Sequence, residues 1–260
     1  MTYNLLKGKK GIVFGALNEH SIAWHVAEKA HAEGAELLLS NMPVALRVGT
    51  LGILAEKLGT IVIPADATLI PDLENLFAKA MEYFGSPVDF ILHSIAMSPN
   101  VRKGRKYDDI DYDNFHKTLD VSALSLHKML QVAKKAGALN TGASVVTISY
   151  IASQRAMPGY GDMAEAKAML ESIVRSFGYI YGKEQQVRIN AVMQSPVQTP
   201  ATSVVPGMAA IIDHSALTAP LGNAGADDCA NACMALFSDL TSKITMQTIF
   251  NDGGFSAMAQ

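Results

Sequence analysis

The chain has 260 residues, a length at which one domain can bury a large hydrophobic core. Its 21 basic and 24 acidic residues leave a formal charge of −3, so the chain has no overall basic charge to attract a nucleic-acid backbone, and a nucleic-acid-binding protein is not predicted. With 49% hydrophobic and 17% charged residues, the composition excludes a disordered chain and predicts a single folded domain over residues 1–260.

Short apolar runs alternate with amphipathic segments from one end of the chain to the other. Continuous apolar runs predict strands that helices cover on both faces, and the amphipathic segments predict those helices. The alternation indicates an α/β fold, a Rossmann-type doubly wound parallel sheet of about seven strands with helices on both faces. The predicted strands are 11–15, 36–40, 60–65, 88–94, 143–150, 187–193 and 246–250, and the predicted helices lie near 21–32, 44–58, 69–84, 113–136, 161–183 and 226–238.

Segment 195–225 interrupts this alternation with prolines, glycines and small residues. Such a long irregular stretch inside a compact domain is typical of a lid or binding loop, so we expect a substrate-binding loop near 195–215. Pro196, Pro200 and Pro206 break the uncharged part of this segment, and no membrane-spanning helix is predicted.

The cysteines and the N-terminus bear on the cellular compartment. Cys229 and Cys233 are too few for a disulfide framework, and their spacing of four predicts packed thiols on one helix face. Residues 1–11 have neither the apolar stretch nor the cleavage site of a secretory signal. These features predict a cytoplasmic protein. The histidines have no spacing typical of metal ligands, so no metal site is predicted.

The strand ends are the places to look for a ligand, because doubly wound sheets bind ligands beyond the carboxyl ends of their strands. Gly15, after the first strand, would let strand and phosphate approach closely. Ser21 would cap the next helix and leave its free N–H groups facing a diphosphate. The fingerprint G-x-G-x-x-G is absent, so an ordinary strand-to-helix turn is the alternative.

The ends of the next three predicted strands carry further candidates. Beside Asn41 there is neither an acid to bind the ribose of NAD nor an adjacent Arg to bind a 2′-phosphate, so the cofactor choice stays open here. Asp66 and Ala67 would hold an adenine amino group, and the alternative for Asp66 is a helix cap. Residues 94–96 would lie where a nicotinamide ribose passes.

Tyr160 and Lys167 lie seven residues apart at the start of a predicted helix. Two helical turns would place them on one face, about 10 Å apart along the axis. A helical lysine directs its ammonium toward the helix N-terminus, here toward the tyrosine. A nearby cation stabilises a phenolate and favours hydrogen bonding to a developing oxyanion, so we predict that the two residues form a catalytic pair.

Tyr150 at a strand end, Tyr160 and Lys167 together resemble the pattern of a known enzyme family. Ordinary short-chain dehydrogenases space their Tyr and Lys four residues apart. The pattern here is similar to that of the divergent short-chain reductases that act as enoyl-acyl carrier protein reductases of bacterial fatty-acid synthesis. Other segments agree in order and interval over essentially the whole chain: Ser21-Ile22-Ala23, His93-Ser94-Ile95, Arg188-Ile189-Asn190-Ala191 before Ser195-Pro196, and Asn251-Asp252-Gly253-Gly254-Phe255.

The resemblance implies reduction of the trans-2 double bond of enoyl-acyl carrier protein thioesters in fatty-acid elongation, with NADH or NADPH as cofactor. It also implies acyl carrier protein as a partner and a homotetramer. Tyr160 would stabilise the enolate, Lys167 would hold the nicotinamide ribose, and Tyr150 would contact the substrate. The implied cofactor contacts are Gly15, Ser21, Ile22, Asp66, Ala67, Ser94, Ile95, Lys167, Pro196, Val197 and Thr199, and the implied substrate contacts are Ala96, Tyr150, Tyr160, Met163, Ala201 and Met208.

Two departures from the family pattern bear on the cofactor. Family members commonly have Tyr-Gln at Asn41-Met42 and Ala-Gly-Pro at Gln194-Ser195-Pro196, both at the cofactor edge, so the choice between NADH and NADPH stays open.

Two other functions are alternatives on the same fold. A 3-oxoacyl or carbonyl reductase is disfavoured by the seven-residue spacing of Tyr and Lys, and a non-catalytic dinucleotide-binding regulator is disfavoured because both residues are present. The basic segment 102–106 is interpreted as a solvated loop, with docking of an acidic acyl carrier protein as the functional alternative.

Overall fold

The computed structural model describes residues 2–203, 205 and 207–258. Its sheet has seven strands in the order β3-β2-β1-β4-β5-β6-β7, and all neighbouring pairs are parallel. The predicted doubly wound parallel sheet is therefore confirmed. The strands are β1 (Lys10–Phe14), β2 (Glu36–Ser40), β3 (Ile61–Val62), β4 (Val88–His93), β5 (Leu139–Ser149), β6 (Arg188–Gln194) and β7 (Thr248–Asn251).

Helices pack on both faces of the sheet because its central strands are apolar on both sides. Trp24, Leu54 and Cys233 belong to the core on one face, and Leu73 and Val174 belong to the core on the other. None of the described helices is long and apolar enough to cross a membrane. The helices are α1 (Ile22–Ala32), α2 (Ala45–Val48), α3 (Leu51–Leu58), α4 (Ile70–Phe84), α5 (Pro99–Arg102), α6 (Tyr112–Leu119), α7 (Ser125–Ala136), α8 (Met163–Gln185), α9 (Met208–Thr218) and α10 (Ala226–Phe237).

Two of the predicted helices are interrupted near the carboxyl ends of the strands. The predicted helix 44–58 divides into α2 and α3 at Gly49, where a Cβ would lie 2.5 Å from the carbonyl oxygen of Leu17. The predicted helix 113–136 divides at a π-helical turn, Asp120–Leu124. Such turns insert an extra residue and are frequent at functional sites.

Segment 195–225 is more regular than predicted, because it contains α9. Before this helix, Thr199 and Thr202 form a compact turn in which the Thr202 hydroxyl donates to the Val197 carbonyl oxygen at 2.5 Å. Positions 204 and 206 lie outside the described residues. The assignment of 195–215 as a substrate-binding loop stays a prediction.

The switch in strand order lies between β1 and β4, which are neighbours in the sheet. The connections after these two strands run to opposite sides, and this opens a crevice at their carboxyl ends. At this point Gly15 has φ +100°, and a Cβ on it would lie 2.0 Å from the Ser94 carbonyl oxygen. Only glycine lets the two strand ends approach so closely.

Candidate functional site

One cavity of about 560 Å³ opens at the carboxyl ends of the strands. All of the site residues predicted from the sequence line it, although they come from segments spread over almost two hundred positions. Their roles stay predictions, since lining a cavity does not assign a function to a side chain. The predicted residues brought together are Gly15, Ser21, Ile22, Asp66, Ala67, Ser94, Ile95, Ala96, Tyr150, Tyr160, Met163, Lys167, Pro196, Val197, Thr199, Ala201 and Met208.

The start of α1 differs from prediction in one contact. Ser21 occupies the N-cap position, but its side chain does not cap the helix. Its hydroxyl instead accepts hydrogen bonds from the backbone N–H groups of Leu17 and Asn18, at 3.1 and 3.2 Å. The serine therefore shapes the loop between β1 and α1, and no side chain caps the helix N-terminus. An uncapped N-terminus at a cavity wall is suited to bind an anion.

The segments after β2 and β3 line one end of the cavity. The Asn41 amide donates to the Ala16 carbonyl oxygen at 2.9 Å, and its oxygen accepts from the Met42 N–H at 2.8 Å. Asp66 accepts from the backbone N–H and hydroxyl of Thr68, at 2.9 and 2.7 Å. Since α4 begins at Ile70, Asp66 does not cap it, and that alternative interpretation is wrong.

Tyr160 does not lie on a helix, as the two-turn spacing predicted. It precedes α8, and Gly161 with φ +52° and Asp162 separate it from the helix. Lys167, in the second turn of α8, lines the same cavity. The pair therefore converges through a turn followed by a helix, and the prediction of a shared helical face is wrong.

The two tyrosines pack against each other in a buried, apolar part of the cavity. Their ring centroids are 4.9 Å apart with a tilt of 47°, and Met163, Met208 and Val101 belong to the same buried cluster. Burial raises the pKa of Tyr150 to about 12. Burial, and then the neighbouring Tyr150, raise the pKa of Tyr160 above its usual value. The expected stabilisation of a phenolate is therefore wrong for the free protein: Tyr160 is a protonated hydrogen-bond donor.

Lys167 is held at the base of the cavity by β5. Its ammonium donates to the Ile148 carbonyl oxygen at 2.7 Å. Burial lowers the lysine pKa to about 8, and Glu171, one turn further along α8, opposes this shift. Glu171 itself accepts from the hydroxyls of Ser149 and Ser153, at 2.5 and 2.6 Å. The ammonium is thus oriented while still able to donate to a second acceptor.

A buried carboxylate, which the sequence did not single out, secures the turn that carries Tyr160. Asp162 is fully buried and accepts hydrogen bonds from Ser98 at 2.6 Å, Asn100 at 2.8 Å and Thr118 at 2.9 Å. These partners come from the segment after β4 and from α6. The one available signal was an acid two residues after Tyr160, which is indistinguishable from a surface acid without the fold.

His93, at the end of β4, is a buried imidazole with both ring nitrogens hydrogen-bonded. The nitrogens lie 3.0 Å from the Thr147 hydroxyl and 2.9 Å from the Ser125 hydroxyl. Burial, and then the charge of Lys167, lower its pKa to about 3. The imidazole is neutral at physiological pH and serves to connect β4, β5 and α7.

Several lining residues were not predicted, mainly because they depend on the interrupted helices. Asp120 and Val121 reach the cavity through the π-helical turn, and Arg102 and Lys117 lie on α5 and α6. No group of three potential ligands that could hold a metal ion occurs in the described part of the chain.

Comparison with known proteins gives one consistent family. A family model described as "Enoyl-(Acyl carrier protein) reductase" matches residues 15–256. An enoyl-[acyl-carrier-protein] reductase [NADH] FabI of Rickettsia bellii is 38% identical, with 99% of this chain and 97% of that protein covered.

The similar solved structures belong to the same family as these sequence matches. The FabI–NADH complex from Alistipes finegoldii has a TM-score of 0.98 and 62% identity, covering 99% of this chain and 91% of that one. An enoyl-[acyl-carrier-protein] reductase (NADH) from Aquifex aeolicus has a TM-score of 0.91 and 30% identity, covering 98% and 99%. Similarity therefore extends over the whole described fold, including every segment that lines the cavity.

Proposed function

The chain belongs to the enoyl-(acyl carrier protein) reductase family, and we propose that it reduces the trans-2 double bond of enoyl-acyl carrier protein thioesters in fatty-acid elongation, with NADH as hydride donor. The observation that carries this proposal is the convergence in one cavity of Tyr160, Lys167 and the uncapped start of α1. A donor for an oxyanion, a donor for ribose hydroxyls and an anion site are the groups that this reaction needs.

The hydrogen-bond donors and the shape of the cavity both suit a bound dinucleotide. The N-terminus of α1 would bind the diphosphate, because its N–H groups lack a side-chain cap. Gly15 keeps the space between the ends of β1 and β4 free of a side chain. We propose that Asp66 and Ala67 hold the adenine and that Lys167 holds the nicotinamide ribose. When bound, NADH supplies the hydride.

Tyr160 is proposed to act on the thioester oxygen. When C3 of the enoyl group accepts a hydride, negative charge develops on that oxygen, and the protonated phenol donates a hydrogen bond to it. C2 then takes a proton, which completes the saturated product. Tyr150 and Met163 exclude water from this part of the cavity, and the low polarity strengthens the hydrogen bond.

The described cavity lining that follows β2 has no cationic side chain, and this supports NADH rather than NADPH. A 2′-phosphate would require a cationic partner, and the described lining beside Asn41 consists of Leu17, Met42 and Ala45. Arg47, the cation nearest along the chain, is exposed and does not line the cavity. We expect kcat/KM for NADH to exceed that for NADPH, and the reverse order would refute this assignment.

The activity is tested by following NADH absorbance with two substrates. We expect oxidation of NADH with crotonoyl thioester and none with acetoacetyl thioester. Consumption of acetoacetyl thioester alone would instead support the 3-oxoacyl reductase alternative. Binding of NADH without reduction of either thioester would support the non-catalytic regulator.

We also propose a homotetramer in the cytoplasm that receives its substrate from acyl carrier protein. Exposed apolar side chains support association of copies: Phe250 on the edge strand β7 is 47% exposed, and Leu221 is 89% exposed. The free, buried Cys229 and Cys233 agree with a reducing compartment. Light scattering with size-exclusion chromatography tests the oligomer, and a monomeric mass would refute it.

A further inference from the structure

Two cationic side chains line the cavity near its opening. Arg102 is the last residue of α5, and Lys117 lies in the last turn of α6. Both residues are exposed, and neither forms an ion pair with another described residue. Lys167, in contrast, lies at the buried base of the cavity. The opening therefore presents positive charge that the fold itself does not neutralise.

The two short helices that carry these cations are fixed to each other. The Asn100 side chain donates to the Asp111 carbonyl oxygen at 3.0 Å, and the Asp111 N–H donates to the Asn100 side-chain oxygen at 3.1 Å. Val101, next to Arg102, is buried in the cluster that contains both tyrosines. Arg102 thus stands where the apolar reacting part of the cavity meets solvent.

The two acids among the described residues that line the cavity are hydrogen-bonded to other residues. Asp120 lines the cavity, but its carboxylate accepts from Lys128 at 2.5 Å. The carboxylate of Asp66 accepts from Thr68. The proposed place of the dinucleotide's diphosphate is the N-terminus of α1, and neither cation lies on α1 or in the loop before it. The described residues therefore supply no ion-pair partner for Arg102 or Lys117, and both remain available to an anion in the cavity.

We propose that Arg102 and Lys117 form a binding subsite for the phosphate on the arm that carries the enoyl thioester. This inference rests on the proposed function: acyl carriers present their thioester on a flexible phosphopantetheine arm, which must leave the reacting part of the cavity through its opening. The arginine offers a planar pair of donors to phosphate oxygens, and the lysine adds a mobile point charge. In this proposal the subsite binds the phosphate of the arm, and the apolar cluster around Tyr150 and Tyr160 binds the acyl chain.

The test compares two substrates that differ only in the phosphate, crotonoyl phosphopantetheine and crotonoyl pantetheine. In the double variant Arg102→Ala/Lys117→Ala, we expect kcat/KM for the phosphorylated substrate to fall about tenfold, with kcat/KM for the unphosphorylated substrate unchanged. The control is Lys103→Ala/Lys106→Ala, which removes the same charge from exposed residues that do not line the cavity. This control is expected to leave both substrates unaffected.

Three results would overturn the subsite. One is an equal loss for both substrates, and another is an equal loss in the control variant, which would indicate only long-range attraction. The third is a raised dissociation constant for NADH in the test variant, which would place the cofactor's phosphates there instead. Failure of the wild-type protein to reduce either thioester would instead refute the proposed function.

Discussion

The rings of Tyr150 and Tyr160 lie 4.9 Å apart at a tilt of 47°, one at the end of β5 and the other in the turn before α8. The Tyr150 hydroxyl is buried and has no hydrogen-bond partner among the described residues. Packing between the rings restricts the orientation of Tyr160, and an unpaired buried hydroxyl beside it is available to a substrate. The two rings therefore form one packed unit, and we propose a different role for each hydroxyl.

Tyr160→Phe removes the hydroxyl that we propose as the oxyanion donor but keeps the ring that packs on Tyr150. We expect kcat for crotonoyl thioester to fall by about 10²–10³-fold, with little change in the dissociation constant for NADH. Stopped-flow or steady-state absorbance gives the rate, and NADH fluorescence titration gives the affinity. Tyr150→Phe is the matched control, with a smaller expected loss of rate. Equal losses in rate and cofactor affinity for Tyr160→Phe would contradict the assigned role.

Lys167 should make cofactor binding depend on pH. Its pKa is lowered to about 8, so the ammonium loses its charge as pH rises through that value, although an ordinary lysine would stay charged. We expect the dissociation constant for NADH to increase above pH 8, because a neutral amine binds ribose hydroxyls less strongly. Fluorescence titration at several pH values measures it. Lys167→Met should bind weakly without this inflection, and a flat profile for the wild type would refute the prediction.

Asp162→Ala should both destabilise the protein and slow the reaction. The change leaves the buried Ser98 hydroxyl and one N–H of Asn100 without an acceptor, whereas the Thr118 hydroxyl keeps a carbonyl oxygen. We therefore expect the free energy of unfolding to fall by about 2–4 kcal/mol. We also expect kcat to fall, because the turn that carries Tyr160 loses its anchor. Urea denaturation and steady-state kinetics measure the two effects.

Glu33→Ala is the matched control for Asp162→Ala. Glu33 is also buried and accepts from the N–H groups of Tyr3 and Leu5, but it lies away from the cavity. This variant should lose stability and keep its kcat. If kcat were unchanged in Asp162→Ala, Asp162 would contribute to stability only and would not position Tyr160.

Gly15→Ala should abolish cofactor binding in the folded protein. An added Cβ would lie 2.0 Å from the Ser94 carbonyl oxygen, and φ of +100° is strained for alanine. Gly52→Ala is the control, because it lies in α3 with open space around it and should raise stability by about 0.5–1 kcal/mol. Thermal denaturation with and without NADH measures both. NADH-dependent stabilisation of Gly15→Ala equal to that of the wild type would contradict this account.

His93 should make the fold sensitive to acid. In the folded protein its pKa is lowered to about 3, whereas in the unfolded chain it returns to the ordinary value of 6.5. Between these values the unfolded chain binds more protons, so stability falls as pH falls. From pH 7.5 to pH 5 we expect a loss of about 2 kcal/mol from this group alone. Urea denaturation should show that His93→Gln lacks this part of the loss, and an identical pH dependence would refute the assignment.

The residues at the strand ends show how much of the candidate site could be predicted from the sequence. Gly15, Asp66 and Ser94 were placed at one edge because parallel strands end on the same side of a sheet, and all three line the cavity. Tyr160 and Lys167 also line this one cavity, as the sequence predicted. The prediction that both lie on one face of a helix was wrong, because α8 begins only at Met163. A spacing of seven does not reveal that Gly161 and Asp162 form a turn before the helix begins.

The sequence by itself determined the parallel sheet, its alternation with helices and the set of strand-end residues that face a ligand, because burial on both faces requires continuous apolar runs. Only the tertiary structure decided the anchoring of the Tyr160 turn by Asp162, the raised pKa of the phenols and the presence of Arg102 and Lys117 in the cavity lining. These properties depend on contacts and desolvation between segments distant in the chain, and such distances arise only when the core is packed.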